Sequence, residues 1–262
     1  MPSVHPAAII GPDVQLADDV EVGPGCTITG RVNVGPGCRL VAGAHLQGPL
    51  TLGPGNTVYP GACLGFPPQD LGFDPATPGA GTVIGEANVF REGVTVHRAT
   101  RDSPTTLGDR NYLMANSHVG HDSRLANDII LANGALLAGH VHLADRVFVG
   151  GNATIHQFCN IGRLSMFSGL SGVAHDFPPF CTCYTVRSVG SLNIVGLRRA
   201  GYRDHIKPLK QAFKLFFESK ATNAVAVQRC REQVEPDPLV DEFLTFIENA
   251  KRGIPPYIPD NH

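Results

Sequence analysis

Isoleucine, leucine or valine stands at every sixth position from Val4 to Leu64, through Ile10, Leu16, Val22 and onward to Val58. The beat resumes at Ile84, Phe90 and Val96, and again from Leu107 to Val173. A six-residue period sustained over this length predicts a β-solenoid of hexapeptide repeats. Four residues after each anchor stands a second small or aliphatic side chain, as at Ala8, Val14, Cys26, Ala135 and Cys159. Residues two apart on a strand point to the same side, so both columns face one interior, small beside large. Gly-Pro-Gly at Gly23 to Gly25, Gly35 to Gly37 and Gly53 to Gly55 supplies the bends between. Three such bends close a triangle of about 18 residues, stacked about 4.8 Å above the last coil. Residue i then sits over residue i+18.

The totals fit this architecture. A solenoid grows by adding coils, so 262 residues require one prism and a cap, not two globular cores. We expect a parallel β-helix over residues 1–180 with loop insertions near 65–83 and 99–106, then a C-terminal helical domain over 181–262. With 21 Lys and Arg against 23 Asp and Glu, a net charge of −2 argues against a nucleic-acid or polybasic membrane surface. No apolar run approaches the ~20 residues of a membrane span, and repeats begin at Val4 with no room for a signal segment, so a cytoplasmic location without an integral membrane segment is expected. Seven cysteines form no metal-type pair spacing. Cys26, Cys38 and Cys159 fall in the small inward column, where a thiol is a compact hydrophobe. Cys181 and Cys183 are poorly placed for a mutual disulfide.

The interruptions of the beat carry the functional signal. Gaps of 20 residues between Leu64 and Ile84 and of 11 between Val96 and Leu107 leave, after one hexad each, 14 and 5 residues to loop out. Counting corners in rotation places both loops on the same one, which we label B. His97, His121, His140 and His156 fall in hexads of corner B, with His118 ending the hexad just before. His5, His45, His142, His175, His205 and His262 read as solvated or hydrogen-bonded scaffold residues. Steps of 18 stack His121, Gly139 and Gln157 in one column and Asp122, His140 and Phe158 in the next. The long loop adds Gln69 and Asp70 to the same edge. Polar groups converging beside excursion loops are what a site on a rigid scaffold looks like.

An imidazole ordinarily titrates near pH 6.5 and removes a proton from a hydroxyl once its tautomer is fixed. His121 followed by Asp122 offers that pairing, provided a bend brings the two side chains together. Gly139 lets its backbone N–H approach a developing oxyanion. These residue types suit acyl transfer to an alcohol. No Gly-X-Ser-X-Gly run and no cysteine in the column point to a covalent acyl-enzyme, so direct transfer is expected, without a cofactor or metal. The rival from the residues is zinc held by the imidazoles, as in a γ-type carbonic anhydrase.

The run His118-Val-Gly-His121-Asp122, Leu-Ala-Gly-His ending at His140, His156-Gln157-Phe158, Gly172-Val-Ala and Asn193-Ile-Val-Gly-Leu-Arg-Arg199 resembles the UDP-N-acetylglucosamine O-acyltransferases that open lipid A biosynthesis. The likeness extends to the Gln69-Asp70-Leu71 loop and the helical tail. It implies a left-handed parallel β-helix, a homotrimer with active sites between neighbouring subunits, and acyl carrier protein and a UDP-sugar as partners. It implies His121 as general base, Asp122 as its orienting partner and Gly139 as the oxyanion donor. Asp70, His118, His140 and Gln157, with Gln69 and His156 on the same edge, would meet sugar or acyl chain. Gly169 would line the far end of the acyl groove. Asn193 and Arg199 would lie near the nucleotide, where a guanidinium fork suits a diphosphate. Family members usually carry an acidic residue where this chain has Val195 and often a lysine where it has Gly72, and Cys183 to Leu192 lacks their Gln-Gly-Asn-containing sequence. These differences fall on nucleotide-sugar recognition, so a related chain with another acceptor, or without transfer, is the second alternative.

After Val173 the beat stops, and Asp176-Phe177-Pro178-Pro179 is expected to close the solenoid. Asp204, Thr222 and Asp237 are placed to start helices; Ile206, Leu209, Phe213 and Phe216 recur at helical spacing, with Pro208 tolerable only in the first turn. Arg198, Arg199, Arg203, Lys207, Lys210 and Lys214 form a basic patch able to receive an acidic carrier protein.

Overall fold

Inward Val, Ile and Leu at each anchor, backed by a small residue two places before, are what three short strands per coil need to fill a triangular interior. The computed structural model describes residues 1–219 and 221–259; His262 lies outside them. Among these residues the chain forms a parallel β-solenoid with three faces of 11, 9 and 8 strands, followed by four helices. We label the faces A, B and C in that order. Ser3 pairs with Glu21 and Val4 with Val22, the 18-residue step expected of the coil. The two loops are absorbed as the spacing requires. Leu64 stacks under Val96 and Leu52 under Ile84, one coil plus the 14-residue excursion, while Ile84 stacks under Leu107, one coil plus five. Both loops leave from strands of face B, Cys63–Phe66 and Thr95–His97.

The anchors from Val22 to Val173 are buried, and Phe90 and Phe167 replace aliphatics inside the prism without becoming accessible. Val4 is 39 % exposed because the first coil has no coil beneath it. Cys26, Cys38 and Cys159 are buried free thiols in the inward column, and Cys181 and Cys183 are buried and free as well.

Two expectations at the end of the solenoid need correction. The ladder does not stop with the beat: Cys181–Cys183 pairs parallel with Met166–Phe167 on face A at a step of 16, and Ser191–Leu192 then pairs antiparallel as the last strand. Shortening the step by two residues breaks the six-residue count while keeping the strand ladder, so periodicity alone loses it. The first helix, α1 (Ile194–Arg199), begins at an Asn193 cap that the apolar pattern did not mark. The second, α2 (Ile206–Phe217), has His205 at its N-cap and not Asp204; Pro208 sits in its first turn as expected. Thr222 and Asp237 are the N-cap residues of α3 (Asn223–Gln233) and α4 (Pro238–Asn249).

Asp176 joins the tail to the prism. Fully buried, it accepts Asn160 N–H at 2.7 Å on one oxygen and the N–H groups of Lys251 and Arg252 at 2.8 and 3.1 Å on the other. Arg163 adds a second tie, donating to both oxygens of Glu242 on α4 and to the Tyr202 hydroxyl.

Candidate active site

Face B and its edge toward face C gather the histidines. The strand His118–Val119 belongs to face B, so His118 shares a strand with Val119 and does not close the preceding hexad. The hexad boundary falls after the anchor, because each strand ends on its anchor and the bend follows it. His121, His140 and His156 sit in those bends, where the chain turns from face B to face C.

The bend supplies what the pairing of neighbours required. Asp122 takes φ = 59°, and His140 and Phe158, stacked above it, take 60° and 65°. This left-handed geometry disfavours side chains with a Cβ. It swings Asp122 back beside its neighbour, so that His121 Nδ1 lies 2.7 Å from Asp122 Oδ2. The columns stack as counted: His140 N–H donates to His121 O at 2.9 Å and Phe158 N–H to Gly139 O at 3.2 Å. The His140 ring lies flat on Phe158, centroids 4.4 Å apart, and edge-on to His121 at 5.2 Å. Gly139 faces the His121 imidazole closely: a Cβ there would stand 2.7 Å from His121 Cε1 and Nε2. Among the described residues the Gly139 N–H donates to no backbone carbonyl.

Asp122 is buried, with donors from His121, Thr100 and Arg101 reaching its two carboxylate oxygens. Burial pushes its carboxyl up, but the hydrogen bonds from His121 and from Thr100 outweigh this and hold it below the usual carboxylate range. His140 Nε2 stands 3.7 Å from the same Asp122 oxygen. His121, Asp122 and His140 thus bring donor atoms within 4.8 Å of one another, close enough for a metal, although the Asp122 oxygen facing His121 is already hydrogen-bonded. Thr100, in the short loop, is a site residue that periodicity could not find, because the loop lies outside the repeat.

His97 and His118 form a second pair, rings edge-on at 5.0 Å, with His118 Nδ1 2.7 Å from Thr95 Oγ1. Burial, then the nearness of His118 and His121, lowers the His97 pKa to about 4; burial, then the nearness of His121, lowers that of His118. Both are neutral imidazoles at neutral pH. The sign for stability follows: the unfolded His97 takes a proton below pH ~6.5 that the folded one refuses until about 4, so stability is full above 6.5 and falls as pH drops. We expect His97→Gln to remove up to about 3 kcal/mol of the acid loss between pH 7 and 4. Paired urea titrations at the two pH values read it, and equal acid losses in parent and variant would refute it.

Gln69, Thr95, His118, Leu136, Thr154 and His156 line a groove of about 740 Å³ on face B that continues past Gly172 to Val186 and Arg187. Gln69 reaches it from the long loop, whereas Asp70 is exposed and spends one oxygen on the Gly72 N–H at 2.8 Å. Arg98 pins that loop. Only 2 % exposed, its guanidinium donates to the carbonyls of Gly65, Pro75 and Thr77, and burial lowers its pKa. Gln157 is exposed in the bend above Gly139, and His156 Nδ1 lies 3.2 Å from its carbonyl oxygen. Gly169 lies in the bend between Met166–Phe167 on face A and Gly172–Val173 on face B, so face B runs from the His121 edge to the Gly169 edge.

Asn193 and Arg199 stand elsewhere. The Asn193 amide accepts Gly196 N–H and donates to Leu164 O, both at 2.8 Å, which ties α1 to the bend between faces C and A; Arg199 is exposed on α1. Within this chain they do not meet the His121 column.

Known proteins resemble this chain over nearly its full length. Residues 176–255 match the family model described as Udp N-acetylglucosamine O-acyltransferase, Domain 2. An acyl-(acyl-carrier-protein)-UDP-N-acetylglucosamine O-acyltransferase of Anaeromyxobacter sp. (strain Fw109-5) is 42 % identical over 258 residues, covering 96 % of this chain and 99 % of the relative. One of the same description from Myxococcus xanthus (strain DK1622) is 43 % identical over 258 residues, 97 % and 99 % covered. The solved UDP-N-acetylglucosamine acyltransferase from Campylobacter jejuni superposes with a TM-score of 0.91 at 36 % identity, covering 98 % of this chain and all of that one.

Proposed function

Because the chain belongs to the UDP-N-acetylglucosamine O-acyltransferase family, we propose that it moves an (R)-3-hydroxyacyl group from acyl carrier protein to the glucosamine 3-hydroxyl of UDP-N-acetylglucosamine, the first step of lipid A biosynthesis. The observation that carries the mechanism is the 2.7 Å pairing of His121 Nδ1 with Asp122 while Nε2 faces Gly139. Asp122 keeps the proton on Nδ1, which leaves Nε2 as the base. Nε2 takes the hydroxyl proton as the oxygen attacks the thioester carbonyl; the Gly139 N–H donates to the oxyanion; the protonated imidazole returns its proton to the leaving thiolate. Asp122 also stabilises the imidazolium in between. The face B groove receives the acyl chain, with Gly169 at its far edge, and His118, His140, His156, Gln157, Gln69 and Asp70 line its approach.

Asn193 and Arg199, at a different corner from the base, support a homotrimer in which one subunit's α1 faces a neighbour's His121 column and reads the nucleotide. Sedimentation equilibrium giving a monomer would remove this arrangement. No described helix is long and apolar enough to cross a membrane, in keeping with a cytoplasmic site of action.

Purified protein incubated with (R)-3-hydroxyacyl carrier proteins and UDP-N-acetylglucosamine should yield the 3-O-acyl sugar nucleotide by mass spectrometry. Absence of transfer across a panel of chain lengths and of 3-hydroxyl and 3-amino acceptors would sink the proposal. Transfer that requires stoichiometric bound metal would favour the zinc reading instead.

Lys207, Lys210 and Lys214 are exposed on one side of α2, with Arg203 exposed just before it. This supports docking of the acidic carrier protein there. Arg203→Glu with Lys210→Glu should raise the KM for acyl carrier protein about tenfold and leave that for the UDP-sugar alone, as expected when charges that steer association are reversed. An unchanged carrier KM would move the docking site elsewhere.

A further inference from the structure

The geometry points to Thr100 as a positioning residue that commits Asp122 to His121; this rests on the assignment of His121 as the base. Asp122 stands between two imidazoles, its Oδ2 2.7 Å from His121 Nδ1 and 3.7 Å from His140 Nε2. A carboxylate free to rotate about its terminal bond could pass its hydrogen bond from one ring to the other, and His121 would lose its fixed tautomer. The short loop prevents that rotation. Thr100 Oγ1 donates to Oδ2 at 2.7 Å, Thr100 N–H reaches both oxygens at 3.1 and 3.2 Å, and Arg101 N–H meets Oδ1 at 3.3 Å. The far end of the loop is tied to the same residue, since Asp122 N–H donates to Thr105 Oγ1 at 2.8 Å.

The five extra residues between the strands Thr95–His97 and Thr105–Leu107 are not needed by the coil, which closes without an insertion elsewhere. What they add is a fork of donors reaching up to Asp122 from the coil below. A hydroxyl is the part of this fork that a substitution can remove while the backbone donors remain.

Thr100→Val keeps the shape and loses the Oγ1 donor; Thr100→Ser keeps the donor. We expect Thr100→Val to lower kcat about tenfold, the scale of one charge-assisted hydrogen bond, with the KM of both substrates within about twofold. Thr100→Ser should stay close to the parent. The low-field proton resonance of the His121 ring Nδ1–H, assigned by its loss in His121→Ala, should be present in the parent and in Thr100→Ser and broadened or lost in Thr100→Val. Parental kcat in Thr100→Val, equal damage in both variants, or a change confined to KM would each overturn the positioning role. Should His121→Ala remain fully active, the base assignment fails and the positioning role with it. An inactive His121→Ala beside a parental Thr100→Val removes the positioning role alone.

Discussion

His121→Ala is expected to lower kcat by about 10³, within the range a positioned general base contributes, and to leave the KM of both substrates within a few fold. The separation follows from where the imidazole sits. Its Nδ1 is spent on Asp122 and its Nε2 faces Gly139, so it touches the reacting atoms more than the body of either substrate. Its removal opens no core: the ring stands at a bend outside the filled prism, with a side chain 19 % exposed. Thermal unfolding should therefore change little. Asp122→Asn provides the companion result, because an amide that donates to Nδ1 imposes the opposite tautomer and should cost a comparable factor. A His121→Ala enzyme with kcat within threefold of the parent would assign the base to another group.

How far this site could be read from the chain depends on which physical rule each residue obeys. Val22 and Leu107 obey the repeat, so their burial and the stacking of Leu64 under Val96 follow from counting once the loop lengths are subtracted. His121, Gly139 and Gln157 obey it too, and the column predicted at steps of 18 is the one in the structure. Thr100 and Arg98 obey no period. One holds Asp122 and the other pins the long loop, and both act through loop geometry that hydrophobic spacing does not encode. The left-handed bend at Asp122 was required by the proposed pairing but could not be read from residue type, since the early coils place glycine at such positions, as at Gly25 and Gly37, whereas the later ones, Gly134 apart, place residues with a Cβ there. The strand Cys181–Cys183 escaped for the reverse reason: it keeps the ladder and abandons the count. Asn193 matched a motif, and the structure adds that its amide caps α1 and holds Leu164.

Gly139→Ala should lower kcat about 10², the cost of moving a reacting group by roughly 1 Å, although it removes no functional group. Gly139 has no positive φ, so alanine is allowed by its backbone, and the N–H proposed for the oxyanion is retained. The new Cβ would stand 2.7 Å from two His121 ring atoms and 3.2 Å from Nδ1. Contacts under 3.0 Å force a shift, and the imidazole is the part able to move. It can do so only by leaving Asp122 or by turning Nε2 away from the acceptor hydroxyl. The two causes of damage, a displaced base and a disturbed oxyanion donor, separate in a double-mutant cycle. In a His121→Ala background there is no ring to collide with, so Gly139→Ala should cost less than about twofold there if it acts through the base. A full 10² loss in that background would place its effect on the oxyanion side, and parental kcat in the single variant would show that the imidazole yields without leaving its working position.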